Sequence, residues 1–169
     1  NRIKIKRGNE DFESAFNHNG DIEYLKDLAI ASKNSGADYF TVQIMSVDSF
    51  CESDYAKYKI YKNSEISKDD WLSFFSFCET NKINLIPCIL EEKSLELITA
   101  SNFKLIKIHA TDITNKPFLS LISKYQLEVI LETQCATIFE IEFAIKTIGI
   151  DNIHAIFTGF SNYPTEIED

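Results

Sequence analysis

The sequence predicts an α/β protein built on a parallel sheet. Short apolar strands alternate with amphipathic helical runs about five times, and the connections between them are short. Segments such as Leu85 to Leu90 and Val129 to Leu131 are apolar on consecutive residues, as strands covered on both faces must be. Strand–helix–strand units joined this tightly require right-handed crossovers between parallel strands. An open doubly wound sheet and a (β/α)8 barrel both satisfy the pattern. A whole barrel takes about 250 residues, so this chain holds about three quarters of one.

Asn1 to Phe16 is the least regular part. Ile3 and Ile5 alternate with Lys4 and Lys6 as in an edge strand, while Glu10 to Phe16 mixes acids with Phe12 and Phe16. Asn17-His18-Asn19-Gly20 is a turn in which Gly20 is free to take positive φ. Asp21 caps a helix with Ile22, Leu25, Leu28, Ala29 and Ser32 on one face, closed by Gly36. Tyr39 to Met45 is a strand rich in aromatic and β-branched residues. Ser46 to Ile66, polar and rich in tyrosine, predicts an irregular loop lying over another part of the chain.

Ser67 to Asp70 resembles a capping box, and the stripe Trp71, Phe74, Phe75 and Cys78 behind it is core. Leu85 to Leu90 is a strand interrupted by Pro87, Glu92 to Ala100 a short helix, and Leu105 to Ile108 the central strand. Pro117 opens the next helix from a favoured first-turn position. Val129 to Leu131 is a strand. Thr137 with Glu140 caps a helix that Gly149 stops, and Ala155 to Phe157 is the last strand, ahead of Thr158 to Pro164.

Composition narrows the function. With 44% hydrophobic and 25% charged residues the chain is ordinary globular material. Its net charge of -9 argues against nucleic acid or anionic membranes as partners, and an anionic ligand would need a local positive pocket. No apolar run reaches transmembrane length. The cysteines, Cys51, Cys78, Cys88 and Cys135, lack CxxC spacing and read as reduced thiols of a cytoplasmic protein. His18, His109 and His154 have no metal-pair spacing, so no metal site is expected.

The most informative stretch is Leu105 to Asn115. Lys107 interrupts an apolar strand, and His109, Thr111, Asp112 and Thr114 follow at its C-terminal end, where parallel α/β proteins hold ligands. Lys107 is either a strand-edge lysine snorkelling to water or a cation aimed into a pocket mouth.

Four segments resemble the sialic acid synthase family, whose members condense phosphoenolpyruvate with an N-acyl amino sugar. They are Asn17 to Asp21, Gly36-Ala37-Asp38 with Gln43, Lys107-Ile108 with Asp112, Thr114 and Asn115, and Ser161 to Thr165. Val129-Ile130-Leu131 with Thr133, Ala136 and Thr137 falls in register between the last two. The resemblance implies one TIM-barrel-like domain over residues 1–169, an incomplete barrel of about six strands. The rest of the barrel, a pair of metal-binding histidines and a small antifreeze-like domain would lie beyond Asp169.

It implies Glu13 and Asp112 as catalytic residues, and Gln43, Lys107, Ser161 and Tyr163 as substrate-binding ones. In the implied reaction the enol carbon attacks the sugar aldehyde, polarised by a divalent metal such as manganese or magnesium. Water attack then releases phosphate. The departures fall on the phosphate side. Thr41 stands where a lysine is expected, Ala110 and Glu132 where serines are expected, and Ser161 where an asparagine is expected. Glu10 and Asp11 enter a first strand that is usually apolar.

These departures lead to the expectation of a catalytically degenerate domain. The alternative is an active divergent synthase using another acyl sugar or donor when the rest of the chain is present. Glu132 is expected to pair with Lys107 as an internal substitute for phosphate, favouring both charged forms, with His109 filling space beside them. The two open edges of an incomplete barrel predict a homodimer, or an edge masked by Ile3 to Lys6.

Overall fold

Side chains alternate across a strand, so each strand of a one-way-wound sheet offers one face to its helices and the other to the interior. A computed structural model describes residues 10–159. Its elements run β1 (Asp11–Glu13), α1 (Ile22–Ser35), β2 (Tyr39–Ile44), α2 (Val47–Phe50), α3 (Tyr58–Ser64), α4 (Lys68–Thr80), β3 (Leu85–Ile89), α5 (Ser94–Ala100), β4 (Leu105–Ile108), α6 (Lys116–Lys124), β5 (Glu128–Glu132), α7 (Ile138–Ile148) and β6 (Ile153–Phe157). The six strands are parallel and lie in the sheet in chain order. A doubly wound sheet reverses its strand order at a switch point. This one never reverses, which leaves the incomplete barrel.

The convex face is apolar. Phe40, Val42, Ile44, Ile89, Ile106, Ile108, Val129 and Leu131 are buried against Leu25 and Ala29 of α1, Trp71 and Phe74 of α4, Phe118 and Ile122 of α6, and Ala144 and Ile148 of α7. Local chemistry sets the helix ends. Asp21 accepts from the amides of Glu23 and Tyr24, Thr137 and Glu140 form a reciprocal capping box, and Asn115 caps α6. Pro87 has no amide to give. β3 pairs with β2 along its whole length but with β4 only at Cys88 and Ile89.

Residues 46–66 differ from the expected loop, since two short helices lie there. Their tyrosines are packed: the rings of Phe16 and Phe50 lie 5.5 and 5.4 Å from that of Tyr61. On the outer side Asp48 accepts from Tyr58 and Lys62. Helices of four and seven residues are too short to print a periodic apolar pattern. The Glu91 carboxylate, at the end of β3, accepts from the amides of Ser46, Lys93 and Ser94 and ties the ends of β2 and β3 to the start of α5. The expected Ile3 to Lys6 edge strand lies outside the described residues.

The Asn17–Gly20 turn is locked from within. His18 Nδ1 accepts from the Gly20 amide at 3.0 Å, which puts the ring proton on Nε2. The ring is 2% exposed, and Nε2 has no hydrogen-bond partner among the described residues. Burial holds this imidazole below its ordinary pKa of 6.5. Its stabilising contribution is therefore complete above pH 6.5 and falls away as the pH drops and the unfolded chain takes up the proton. The urea midpoint should decline below that pH, and His18→Gln should reduce the decline. Gly20 has φ +81°, and a Cβ there would stand 2.5 Å from the Asn63 carbonyl oxygen. Gly20→Ala should cost about 1–3 kcal/mol, read from the same denaturation curves.

Candidate functional site

The alternate residues of the strands build the concave face. Asp11 and Glu13 come from β1, Thr41 and Gln43 from β2, Cys88 from β3, Lys107 from β4, Glu132 from β5 and Phe157 from β6. Lys107, only 2% exposed, donates from Nζ to Asp11 Oδ2 at 2.7 Å and to Glu13 Oε2 at 3.2 Å. Glu132 Oε1 lies 3.7 Å away, and the Phe157 ring centroid 5.2 Å away. Thr41 Oγ1 donates to the Asp11 carboxylate at 2.8–2.9 Å, and Gln43 Nε2 to Glu13 Oε1 at 2.7 Å.

These contacts require the curl. Three strand spacings separate β4 from β1, about 14 Å in a flat sheet. Lys107 nonetheless touches β1 on one side and reaches β6, at the other end of the strand order, on the other. The cation thus joins the margins of the sheet.

The electrostatics are uneven. Burial would pull the Lys107 ammonium down, but Asp11, Glu13 and Glu132 together outweigh it and hold the group above its usual range. Glu132 moves the other way from expectation. Burial and the nearby Glu13 raise its carboxyl above the ordinary value despite Lys107. The expected contact with Lys107 is present and works toward both charged forms, but on Glu132 burial outweighs it. Burial, with Glu132 and Glu13 beside it, pushes the Cys88 thiol well above its normal range, so it is no nucleophile.

Glu13, Gln43 and Lys107, expected to share a site, are joined by hydrogen bonds. His109 reaches the same group, its Nε2 4.0 Å from Glu132 Oε2, while Nδ1 contacts Thr111. Asp112 bonds outside this network. It accepts from Asn115 Nδ2 at 2.9 Å and lines a cleft of about 720 Å³ with Glu91, Leu95 and Phe118. Ser161 and Tyr163 lie outside the described residues. Asp11 was an anomaly of composition in the sequence and is the closest partner of Lys107 in the fold. The signal was a period of two, with Asp11 and Glu13 on one strand facing Thr41 and Gln43 on the next.

Among the described residues no group of three or more His, Cys, Asp and Glu side chains could hold a metal ion. The three concave-face carboxylates converge on the Lys107 ammonium, which occupies the place a cation would take, so they are not free to hold a divalent metal. The histidine pair to which the resemblance assigns that metal is not among the described residues.

Two consequences can be measured. Lys107→Met leaves three carboxylates facing one another in a partly dry space and should cost about 3–5 kcal/mol at neutral pH. That deficit should shrink on acidification, as those carboxylates take up protons. For Glu132 the raised folded value means that the charged form opposes folding at neutral pH, and that this opposition is relieved as the pH falls toward 4.5. Glu132→Gln should therefore flatten the pH dependence of the urea midpoint across that window.

Comparison with known proteins places this geometry. The chain is 30% identical over 159 residues to an uncharacterized protein of Methanocaldococcus jannaschii, covering 93% of this chain and 47% of that one. It is 26% identical over 177 residues to the N,N'-diacetyllegionaminic acid synthase of Legionella pneumophila, covering 93% and 50%. The chain thus spans about half the length of the curated relatives it matches. The crystal structure of N-acetylneuraminic acid (sialic acid) synthetase from Leptospira borgpetersenii, in complex with citrate, superposes with a TM-score of 0.85 at 20% identity. The match covers 94% of this chain and 56% of that one, and it shows the shared fold. The sequence profile of the NeuB family matches residues 26–169, and the chain belongs to that family.

Proposed function

We propose that this chain is a sialic acid synthase-like barrel domain that, taken alone, has lost the condensation of phosphoenolpyruvate with an N-acyl amino sugar. One observation carries the reading: the lysine at the end of β4 is already bonded to Asp11 and Glu13 and lies near Glu132. A phosphate in a partly closed mouth relies on charge-assisted donors worth about 1.5–3 kcal/mol each. Here a lysine and two hydroxyls of the expected set are replaced by Thr41, Ala110 and Glu132. That loss is comparable to the whole binding energy of a millimolar-to-micromolar ligand, about 4–8 kcal/mol.

A second reading rests on the Glu13–Gln43 pair. It is partly exposed at the strand ends, so an active divergent synthase could use it for another acyl sugar or donor once the remaining chain is present. In either case the domain is a cytoplasmic one that does not act on nucleic acid, and in the active reading its ligands are a small sugar or a phosphoenolpyruvate-like donor. No described helix is long and apolar enough to cross a membrane. β1 and β6 are the sheet margins among the described residues, and the exposed Phe139 and Ile138 of α7 lie toward the β6 side of the strand order. These features support a homodimer, which sedimentation would detect.

Calorimetric titration of the chain with phosphoenolpyruvate should give no binding at micromolar concentration. Micromolar binding would refute the degenerate reading.

A further inference from the structure

The position of Asp11 goes beyond the loss of a phosphate site and names what replaces it. Its Oδ2 lies 2.7 Å from Lys107 Nζ, while both carboxylate oxygens accept from Thr41 Oγ1. Glu132, at 3.7 Å, is the more distant partner. Thr41 is fully buried and Lys107 nearly so, which makes this ammonium and hydroxyl a strong pair of anion donors, facing one another from β4 and β2.

We propose that Asp11 is the specificity-determining residue of the concave face, a tethered carboxylate that fills a small-oxyanion position between Thr41 and Lys107 and closes it to free anions. The assignment deepens the degenerate reading above and rests on it. A carboxylate fixed on β1 competes as an intramolecular ligand, at an effective concentration of millimolar or more, so a free anion at micromolar concentration does not displace it. Glu13 keeps its own donor in Gln43, and Glu132 keeps His109 beside it. Among the described residues Asp11 is thus the carboxylate whose side-chain donors are just the two that would hold an anion.

Removing the carboxylate while leaving both donors in place should reopen the position. Asp11→Ala leaves room for one carboxylate group, whereas Asp11→Asn fills the same room without charge. Thermal unfolding of the full chain is followed against sodium formate, with sodium chloride at equal ionic strength as reference. Formate should raise the midpoint of Asp11→Ala saturably. It should leave the unmodified chain, Asp11→Asn and Glu132→Gln at the chloride value. Adding Glu132→Ser to Asp11→Ala removes a nearby negative charge and should tighten binding of inorganic phosphate by at least about tenfold over the unmodified chain, the gain of one recovered charge-assisted hydrogen bond.

A folded Asp11→Ala with no formate-specific shift overturns the assignment, as does an equal shift in the unmodified chain. If Asp11→Ala does not fold in dilute buffer, its refolding yield against formate and chloride is decisive. Formate-specific recovery supports the proposal, and recovery equal in both salts refutes it. Phosphoenolpyruvate binding by the unmodified chain would refute the degenerate reading whatever the variant does, so the two failures are distinguishable.

Discussion

Lys107 is charged and almost wholly withdrawn from water, so the concave face has to be arranged around keeping it paired. Its close partners do not come from the directly paired positions of the neighbouring strands, where β3 offers Cys88 and β5 offers Ile130. They come from β1, three strands away, and more distantly from Glu132. The requirement therefore acts on the sheet itself. A flatter sheet would withdraw Asp11 and Glu13 and leave a buried ammonium short of counter-charge.

Such a pair need not stabilise the fold in net terms, since desolvating both ions offsets most of their attraction. The net driving force lies on the other side of the sheet, where the helices cover Phe40, Val42, Ile106, Ile108, Val129 and Leu131. Apolar burial fixes that the helices pack on one face but is tolerant of how tightly the sheet bends. The ion network is intolerant: a donor distance of 2.7 Å specifies the distance between β1 and β4. Burial and charge thus divide the work, one supplying cohesion and the other curvature.

The sequence carried the convex face better than the concave one. Helices with caps and a clean apolar stripe, such as those opened by Asp21, Ser67 and Thr137, are specified within a dozen residues, and their starts lie where the caps put them. The two short helices between Val47 and Ser64 are held by ring contacts to Phe16 and by the Asp48 network, which depend on tertiary neighbours and leave no local period. The site was legible in pieces. Lys107 was conspicuous as a charge in an apolar strand, and Glu13 and Gln43 came from the family resemblance. Asp11 was invisible as a partner because its meaning depends on a residue 96 positions further on and on a curl that brings the two together.

Taken one at a time, the departures from the family pattern are unfavourable. Asp11 on the concave face would be a half-buried acid with Lys107 as its one side-chain donor among the described residues. A threonine in place of a lysine removes a cation, and Glu132 in place of a serine adds a charge near the sheet interior. Together they compensate. The Thr41 hydroxyl gives Asp11 a further donor without crowding Lys107 with a second cation. Asp11 supplies the counter-charge that a bound anion would otherwise bring, and holds Lys107 charged in the absence of one. Glu132 is left as the strained member, raised by burial and by Glu13 despite the nearby lysine. A pocket arranged this way is internally neutralised at its deepest point and carries its surplus of negative charge toward Glu132 and His109, a distribution that disfavours an anionic ligand on energetic grounds before any contact is made.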